Sequence, residues 1–158
     1  MENPIGLMLV AGLGFFVLYR GAKVAMKNDD EQIDYMARTA WGEARGEGAT
    51  GMQAVVNVIM NRTEKGGWYG LTPKEVCLKK WQFSCWNEND PNRAQLLVVD
   101  ERNSAFATAK QLAALAYYGD LPDITGGAVN YHATSIRAPS WAEKMQKTAQ
   151  IGNHIFYA

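Results

Sequence analysis

The chain has 158 residues, 47% of them hydrophobic, and its 16 basic and 16 acidic residues give a formal net charge of zero. This length is sufficient for one domain with a substantial core. The balanced charge offers no overall attraction to nucleic acid, which we therefore exclude as a partner. Two cysteines and two histidines without zinc-finger spacing predict neither a metal site nor a cofactor.

An apolar run near the N-terminus predicts a membrane anchor. Residues 5–19 carry no charge, and Arg20 and Lys23 follow. A membrane-spanning helix needs roughly 20 apolar residues, and residues 5–26 reach that length if the two basic side chains extend toward the interface. We predict an N-terminal hydrophobic helix within residues 1–28, with a buried amphipathic helix as the alternative.

The remaining residues, 29–158, are predicted to form a single domain that follows this anchor. The charge before the apolar run is Glu2 rather than a basic cluster, which disfavours a cleavable signal peptide. The basic residues lie after the run, so the positive-inside rule favours a cytoplasmic location for the domain.

The most informative stretch, residues 39–62, reads as two helices that meet at a glycine-broken corner. Gly46 and Gly48 interrupt the helical pattern, so we predict helices over residues 31–44 and 49–63. Apolar residues recur at helical spacing on both sides of the corner: Met36, Ala37, Ala40 and Trp41 before it, and Met52, Val55, Val56, Ile59 and Met60 after it.

Charged residues occupy this corner: Glu43, Arg45 and Glu47. A carboxylate beside Trp41 at the end of a docked helix could be partly desolvated. Desolvation raises the pKa of a carboxyl group, which could then donate a proton near neutral pH, as glycoside cleavage requires. The alternative is an exposed helix end with salt bridges between the three charged side chains.

An aromatic-rich loop is predicted over residues 79–87, because their spacing fits neither a long helix nor strand alternation. Flat apolar faces with polar rims are typical of a sugar-binding wall, and a tucked surface loop is the alternative. The side chains that suggest sugar binding are those of Trp81, Gln82, Ser84, Trp86 and Asn87.

The other predicted elements complete an α+β domain that is mostly helical, with a small antiparallel sheet packed against the helices. The predicted helices are a turn ending at Cys77, a short helix or loop over 92–99, and a long helix over 101–118 with an apolar stripe of Ala105, Thr108, Ala109, Leu112, Leu115 and Ala116. The predicted strands cover residues 128–133, 144–148 and 154–157.

Three sequence blocks occur in a characteristic order. The first is W-G-E-A-R-G-E-G with G-M-Q-A-V-V-N-V-I-M-N-R (41–62), and the second is W-Q-F-S-C-W-N-E-N-D-P (81–91). The third runs from G-G-A-V-N-Y-H through S-W-A to I-G-N-H-I-F-Y (126–157). Together they resemble the SleB-type cell-wall hydrolases, the family of the spore-cortex-lytic enzymes, over about residues 33–158.

The resemblance implies a lysozyme- or transglycosylase-like domain that cleaves peptidoglycan between N-acetylmuramic acid and N-acetylglucosamine. It implies Glu43 as the catalytic acid, with Glu47 as the next candidate. It also favours Tyr131 and His132 as groove residues near the acid. Further candidates for glycan contact are Gln82, Ser84, Trp86 and Trp141.

Several mechanisms stay open at this stage. A lytic transglycosylase uses one glutamate twice, and it is favoured because Glu43 has acidic neighbours in the sequence but no second carboxylate is anchored in the motifs at a distance from it. A muramidase-type hydrolase would need that second carboxylate. Less favoured alternatives are a stem-peptide peptidase built on Cys85 and His132, a zinc amidase, and a non-catalytic glycan-binding virion component.

A peptidoglycan substrate lies outside the membrane, in conflict with the topology that the basic residues favour. A reversible signal-anchor, as in some phage endolysins, or delivery by a virion with other virion proteins would remove this conflict. We therefore expect a domain that faces peptidoglycan from a membrane anchor, or that is carried by a phage particle. Outside the cytoplasm Cys77 and Cys85 could form a disulfide, and if reduced they are two small hydrophobic residues.

Overall fold

The structure of the protein is a computed structural model that describes residues 28–158. Residues 32–158 form one compact unit; of the other, Met1–Glu31, only residues 28–31 are described, and they are helical. The predicted anchor over residues 5–26 lies outside the described residues. Among the residues that are described, no helix is long and apolar enough to cross a membrane.

Two helices and the turn between them confirm the glycine-broken corner. Helix α1 covers residues 28–44 and helix α2 covers Gly48–Lys65, with a 3-10 turn at Arg45–Glu47. Gly48 has a φ of 69°, a conformation that glycine adopts at little cost, so the chain can change direction there.

Helix α2 is central, since apolar side chains on two of its faces pack in two separate cores. The larger core joins α2 to α1, and burying each of its large side chains is worth roughly 1.5–3 kcal/mol. The smaller core joins Ala54 and Val58 of α2 to Ala128 and Phe156. The α1 and α2 residues in the larger core are Ile33, Met36, Ala37, Ala40, Trp41, Ala44, Met52, Val55, Val56 and Ile59.

The remaining helices begin at side-chain caps or short turns. Helix α3 (Pro73–Leu78) starts after Thr72, whose hydroxyl accepts a hydrogen bond from the Glu75 amide. Helix α4 covers Arg93–Val98, in agreement with the short helix predicted there. Helix α5 covers Ser104–Tyr117 and starts later than predicted because Asn103 caps it.

The apolar stripe predicted for α5 is partly wrong. Ala109 and Ala116 are buried as expected, but Leu115 is 44% exposed, while Phe106 and Ala113, which were not in the predicted stripe, are buried. The buried face of α5 therefore begins at Phe106 and continues through Ala109, Ala113 and Ala116.

Three short strands form an antiparallel sheet in the order β1–β3–β2. Strand β1 is Asn130–Ala133, β2 is Lys147–Ile151 and β3 is His154–Tyr157. The strand predicted over 144–148 is displaced, because Ala142–Lys144 forms a 3-10 turn before the chain extends. The small antiparallel sheet is confirmed.

The loop before β1 is attached to α2 by two asparagine side chains. Asn57 donates to the Pro122 carbonyl and accepts from the Ile124 amide. Asn61 donates to the Ala128 carbonyl at 3.0 Å. These bonds place β1 against the helices.

Candidate active site

The Glu43 carboxylate, in the last turn of α1, is half-buried and held by groups from two other parts of the chain. Its Oε1 accepts from the Cys85 amide at 2.9 Å and from the Ser84 hydroxyl at 3.4 Å. Its Oε2 accepts from the Tyr131 hydroxyl at 3.1 Å. Both carboxylate oxygens therefore have fixed partners, and the group is oriented before any substrate binds.

Gly42 permits this arrangement. A Cβ at position 42 would lie 2.8 Å from the Cys85 Cβ and 3.1 Å from Cδ1 of Leu96. The missing side chain lets the 3-10 turn Ser84–Trp86 approach α1 closely enough for the Cys85 amide to reach Glu43.

Tyr131 projects from β1 toward Glu43 and remains a hydrogen-bond donor. Burial raises the pKa of the Tyr131 phenol well above its ordinary value, and the neighbouring Glu43 charge raises it further. The phenol ring packs against His154 and Phe156 of β3, with ring centroids 5.3 and 5.5 Å away. These contacts restrain the ring that orients Glu43.

Glu47 is bound by Asn153 rather than by the residues that hold Glu43, and its pKa is lowered. Its carboxylate accepts from the Asn153 side chain at 2.8 Å and from the Asn153 amide at 3.0 Å. These two bonds, with a smaller contribution from the charge of His154, lower the pKa of Glu47. A carboxylate with a lowered pKa stays ionised at neutral pH and is a poor proton donor.

The turn between β2 and β3 is shaped to receive Glu47. Gly152 has a φ of 52°, and the Glu47 carboxylate occupies the place that a Cβ would need. Glu47 therefore joins the corner after α1 to the sheet, on which Tyr131 is carried.

The structure separates two residues that the sequence placed together near the acid. Successive strand residues point to opposite faces of a sheet, so His132 points away from the face on which Tyr131 meets Glu43. The His132 ring nitrogens lie 2.9 Å from the Ala133 carbonyl oxygen and 3.1 Å from the Tyr157 hydroxyl. Trp141 packs edge-on against His132 and Tyr157, so it also belongs to that other face.

Two further predicted residues are engaged inside the protein. The Gln82 amide donates to the Tyr69 carbonyl at 2.9 Å and accepts from Arg62 at 3.1 Å. The indole of Trp86 donates to the Thr39 hydroxyl at 2.9 Å. Among the predicted glycan-contact residues of this loop, Ser84 donates a side-chain hydrogen bond to Glu43.

Arg62 is a buried cation behind the site that sequence reasoning missed. It is 6% exposed, and its guanidinium donates to the Val129 carbonyl at 2.7 Å and to Gln82. Its Cζ lies 4.9 Å from the centroid of the Phe83 ring. Burial lowers the pKa of Arg62, while nearby Tyr131 and other acidic groups oppose that shift. The one signal in the sequence that could have pointed to Arg62 is its position as the last residue of the first block.

Cys77 and Cys85 are separate buried thiols, so the predicted disulfide is not formed in this structure. Cys77 contacts Thr39, and burial raises the pKa of the Cys77 thiol to about 12. Burial also raises the pKa of Cys85 far above its ordinary value, and Glu43 raises it further. Each thiol therefore packs as a small hydrophobic side chain rather than as a nucleophile.

Within residues 28–158, no group of three or more His, Cys, Asp or Glu side chains lies close enough together to hold a metal ion.

The family model described as Cell Wall Hydrolase matches residues 46–157. The chain belongs to the cell wall hydrolase family. This membership confirms the SleB-type resemblance, and it assigns this cell wall hydrolase to the enzymes that act on the cell wall. Glu43 lies three residues before the matched range, so its catalytic role stays a prediction.

Two solved structures are similar to this cell wall hydrolase. One is the catalytic domain of the Bacillus cereus SleB protein: 27% identity, 83% of this chain and 91% of that chain covered, and a TM-score of 0.63. The other is the catalytic domain of the germination-specific lytic transglycosylase SleB from Bacillus anthracis: 28% identity, 80% and 93% covered, and a TM-score of 0.63. No curated protein matches the chain significantly.

Proposed function

We propose that this cell wall hydrolase cleaves the glycan strand of peptidoglycan between N-acetylmuramic acid and N-acetylglucosamine. It acts as a lytic transglycosylase, with Glu43 as acid and then as base. The observation that carries this proposal is the oriented Glu43 carboxylate, bound through both oxygens by Tyr131 and by the turn Ser84–Trp86. The name of the Bacillus anthracis relative, a lytic transglycosylase, supports the same reaction class.

In this mechanism protonated Glu43 gives its proton to the oxygen that links the two sugars, and the bond from that oxygen to the muramyl C1 breaks. The Glu43 carboxylate then takes the proton of the muramyl C6 hydroxyl, whose oxygen bonds to C1. The products are a 1,6-anhydro sugar and a free N-acetylglucosamine end, and Glu43 is protonated again. The fixed partners of Glu43 support this double role, since one carboxyl group must stay within reach of both oxygens.

The alternative is a hydrolase, in which a second carboxylate activates water or attacks the sugar. Glu47 is the sequence neighbour best placed by motif, but Asn153 donates hydrogen bonds to both of its oxygens and ties them to the turn between β2 and β3. This engagement favours the one-glutamate reaction. The buried Cys85 thiol, with its raised pKa, disfavours a stem-peptide peptidase.

Mass spectrometry of muropeptides released from purified peptidoglycan tests the proposal. We expect the full chain to release anhydromuramyl products. We also expect Glu47→Gln to release the same products at a rate within about tenfold of the wild type, because Glu47 is a structural contact rather than the proton donor.

Two results would contradict this assignment. Reducing-end muramic acid in the products would mean a hydrolase, and a loss of activity in Glu47→Gln as deep as that in Glu43→Gln would identify Glu47 as its second carboxylate. Intact glycan strands would instead indicate an enzyme that cuts the stem peptide, or a protein that only binds glycan.

The location of the enzyme is a separate proposal. We infer a domain that faces peptidoglycan, either from the membrane through residues 5–26 or as part of a virion, for wall remodelling or for phage infection and lysis. Fractionation of cells that express the chain tests the self-exporting form. A domain found only in the cytoplasm, without lysis, would count against it.

A further inference from the structure

A concave surface lies on the loop that follows α3. It is a groove of about 530 Å³. Aromatic, basic and amide side chains line it, among them Lys80, Trp81, Phe83, Trp86, Asn87 and Asn89. Aromatic faces together with a few polar groups are the usual composition of a small-ligand site.

Trp81 in this groove has a backbone conformation that its packing does not explain. Its φ is 72°, and within residues 28–158 no other non-glycine residue has a positive φ. A bulky residue in this region is strained, and such strain persists at sites where the surroundings impose it. Trp81 is nevertheless 79% exposed, so burial of its indole does not compensate for the strain. The strained backbone instead presents a large apolar ring to solvent.

One face of the Trp81 ring has a partner and the remainder is open. The Lys80 ammonium lies 5.1 Å from the ring centroid, at cation–π distance. Lys79 also lines the groove, which therefore has two cations and one carboxylate, that of Glu88. This local excess of positive charge suits a polymer that bears acidic groups.

The groove shares a segment of the chain with the turn that holds Glu43. Phe83 and Trp86 line the groove and flank Ser84 and Cys85 in the sequence. Ser84 and Cys85 are the residues that donate hydrogen bonds to the Glu43 carboxylate. One short segment therefore carries two partners of Glu43 and part of the groove lining.

We propose that this groove is a carbohydrate subsite, distinct from Glu43, which takes an N-acetylated sugar of the strand being cut. The apolar face of the sugar stacks on Trp81, and Asn87 and Asn89 offer amide groups to its hydroxyl and acetamido groups. This inference rests on the proposed function for the identity of the strand. An anionic membrane is the competing partner for a surface with Trp and Lys, but concavity and an amide rim favour a sugar.

The test measures binding separately from cleavage. The full chain carrying Glu43→Gln is sedimented with purified peptidoglycan sacculi, with and without Trp81→Ala or Trp81→Gly. We expect each Trp81 change to weaken binding by roughly five- to tenfold, the size of one aromatic stacking contact. Trp81→Gly removes the strained conformation, so it should fold with a melting temperature close to that of the parent.

Tyr118→Ala is the matched control, because Tyr118 is an aromatic residue that is 63% exposed at the end of α5 and does not line the groove. It should bind sacculi like the parent. Equal binding by the Trp81 and Tyr118 variants would overturn the subsite. So would a Trp81-dependent loss of binding to phosphatidylglycerol vesicles with sacculus binding unchanged, since that result assigns the surface to a membrane.

The outcomes also separate this inference from the proposed function. If the wild type cleaves sacculi to anhydromuramyl products and Trp81→Ala binds normally, the subsite alone fails. If the wild type cleaves no glycan but binds sacculi through Trp81, the proposed reaction fails and the subsite stands.

Discussion

Replacement of Glu43 by Gln is expected to slow muropeptide release by at least about a thousandfold. Glutamine has the same length and shape, but it can neither give a proton to the glycosidic oxygen nor take one from the C6 hydroxyl. General acid and base catalysis each contribute about 10²–10⁴ in rate, so the loss of both roles should approach complete inactivity. The measurement is the initial rate of muropeptide release from purified sacculi.

The stability of the Glu43→Gln variant should change little. The Cys85 amide can still donate to the glutamine carbonyl, and the Tyr131 hydroxyl can accept from its amide. Glu47→Gln is the matched control, because it makes the same chemical change at the same corner. A Glu43→Gln enzyme that keeps a tenth or more of its activity would sink the assignment of Glu43 as the acid.

Replacement of Arg62 by Met should cause the largest loss of stability among the changes considered. Methionine fills much of the same volume but donates no hydrogen bond, so the Val129 carbonyl and the Gln82 oxygen lose a buried donor. Each unsatisfied buried acceptor costs about 1–3 kcal/mol, and the contact with Phe83 adds about 1 kcal/mol. Methionine carries no charge, so the variant avoids the desolvation cost of the buried guanidinium. This offsets part of the sum and leaves a net destabilisation of about 2–4 kcal/mol.

Urea unfolding monitored by circular dichroism measures this change, with the slope of the transition as a check on two-state behaviour. Arg62→Lys should lie between the wild type and Arg62→Met, because lysine keeps the charge but not the planar fork of donors. Arg102→Met is the control, since Arg102 is exposed and pairs with Asp100 at the surface. A stability of Arg62→Met equal to that of Arg102→Met would show that Arg62 does not hold the loop, α2 and β1 together.

Much of the helical framework was predictable because its signals are local. The apolar spacing around Met36, Trp41 and Val55 and the glycines after Ala44 depend on residues within a few turns of one another. The Thr72–Pro73 pair is a signal of the same kind, and it marks the start of α3. The strand 154–157 was predicted with its observed bounds, whereas β2 was displaced because a 3-10 turn intervenes. The family blocks also marked the region around Glu43.

The details of the candidate site depend on contacts between residues far apart in the chain, which no local pattern encodes. Glu43 and Glu47 lie at the same corner of the chain, but Glu43 contacts Tyr131 and Glu47 contacts Asn153, 106 residues away from it. Strand alternation decides that Tyr131, and not His132, faces Glu43, and only the packing of β1 against α1 and α2 decides which face that is. The sequence by itself therefore determined the family, the helical corner and the candidate acid. The tertiary structure alone decided the partners of Glu43 and Glu47, the buried contacts of Arg62 and the burial of the two thiols, because each depends on how distant elements pack.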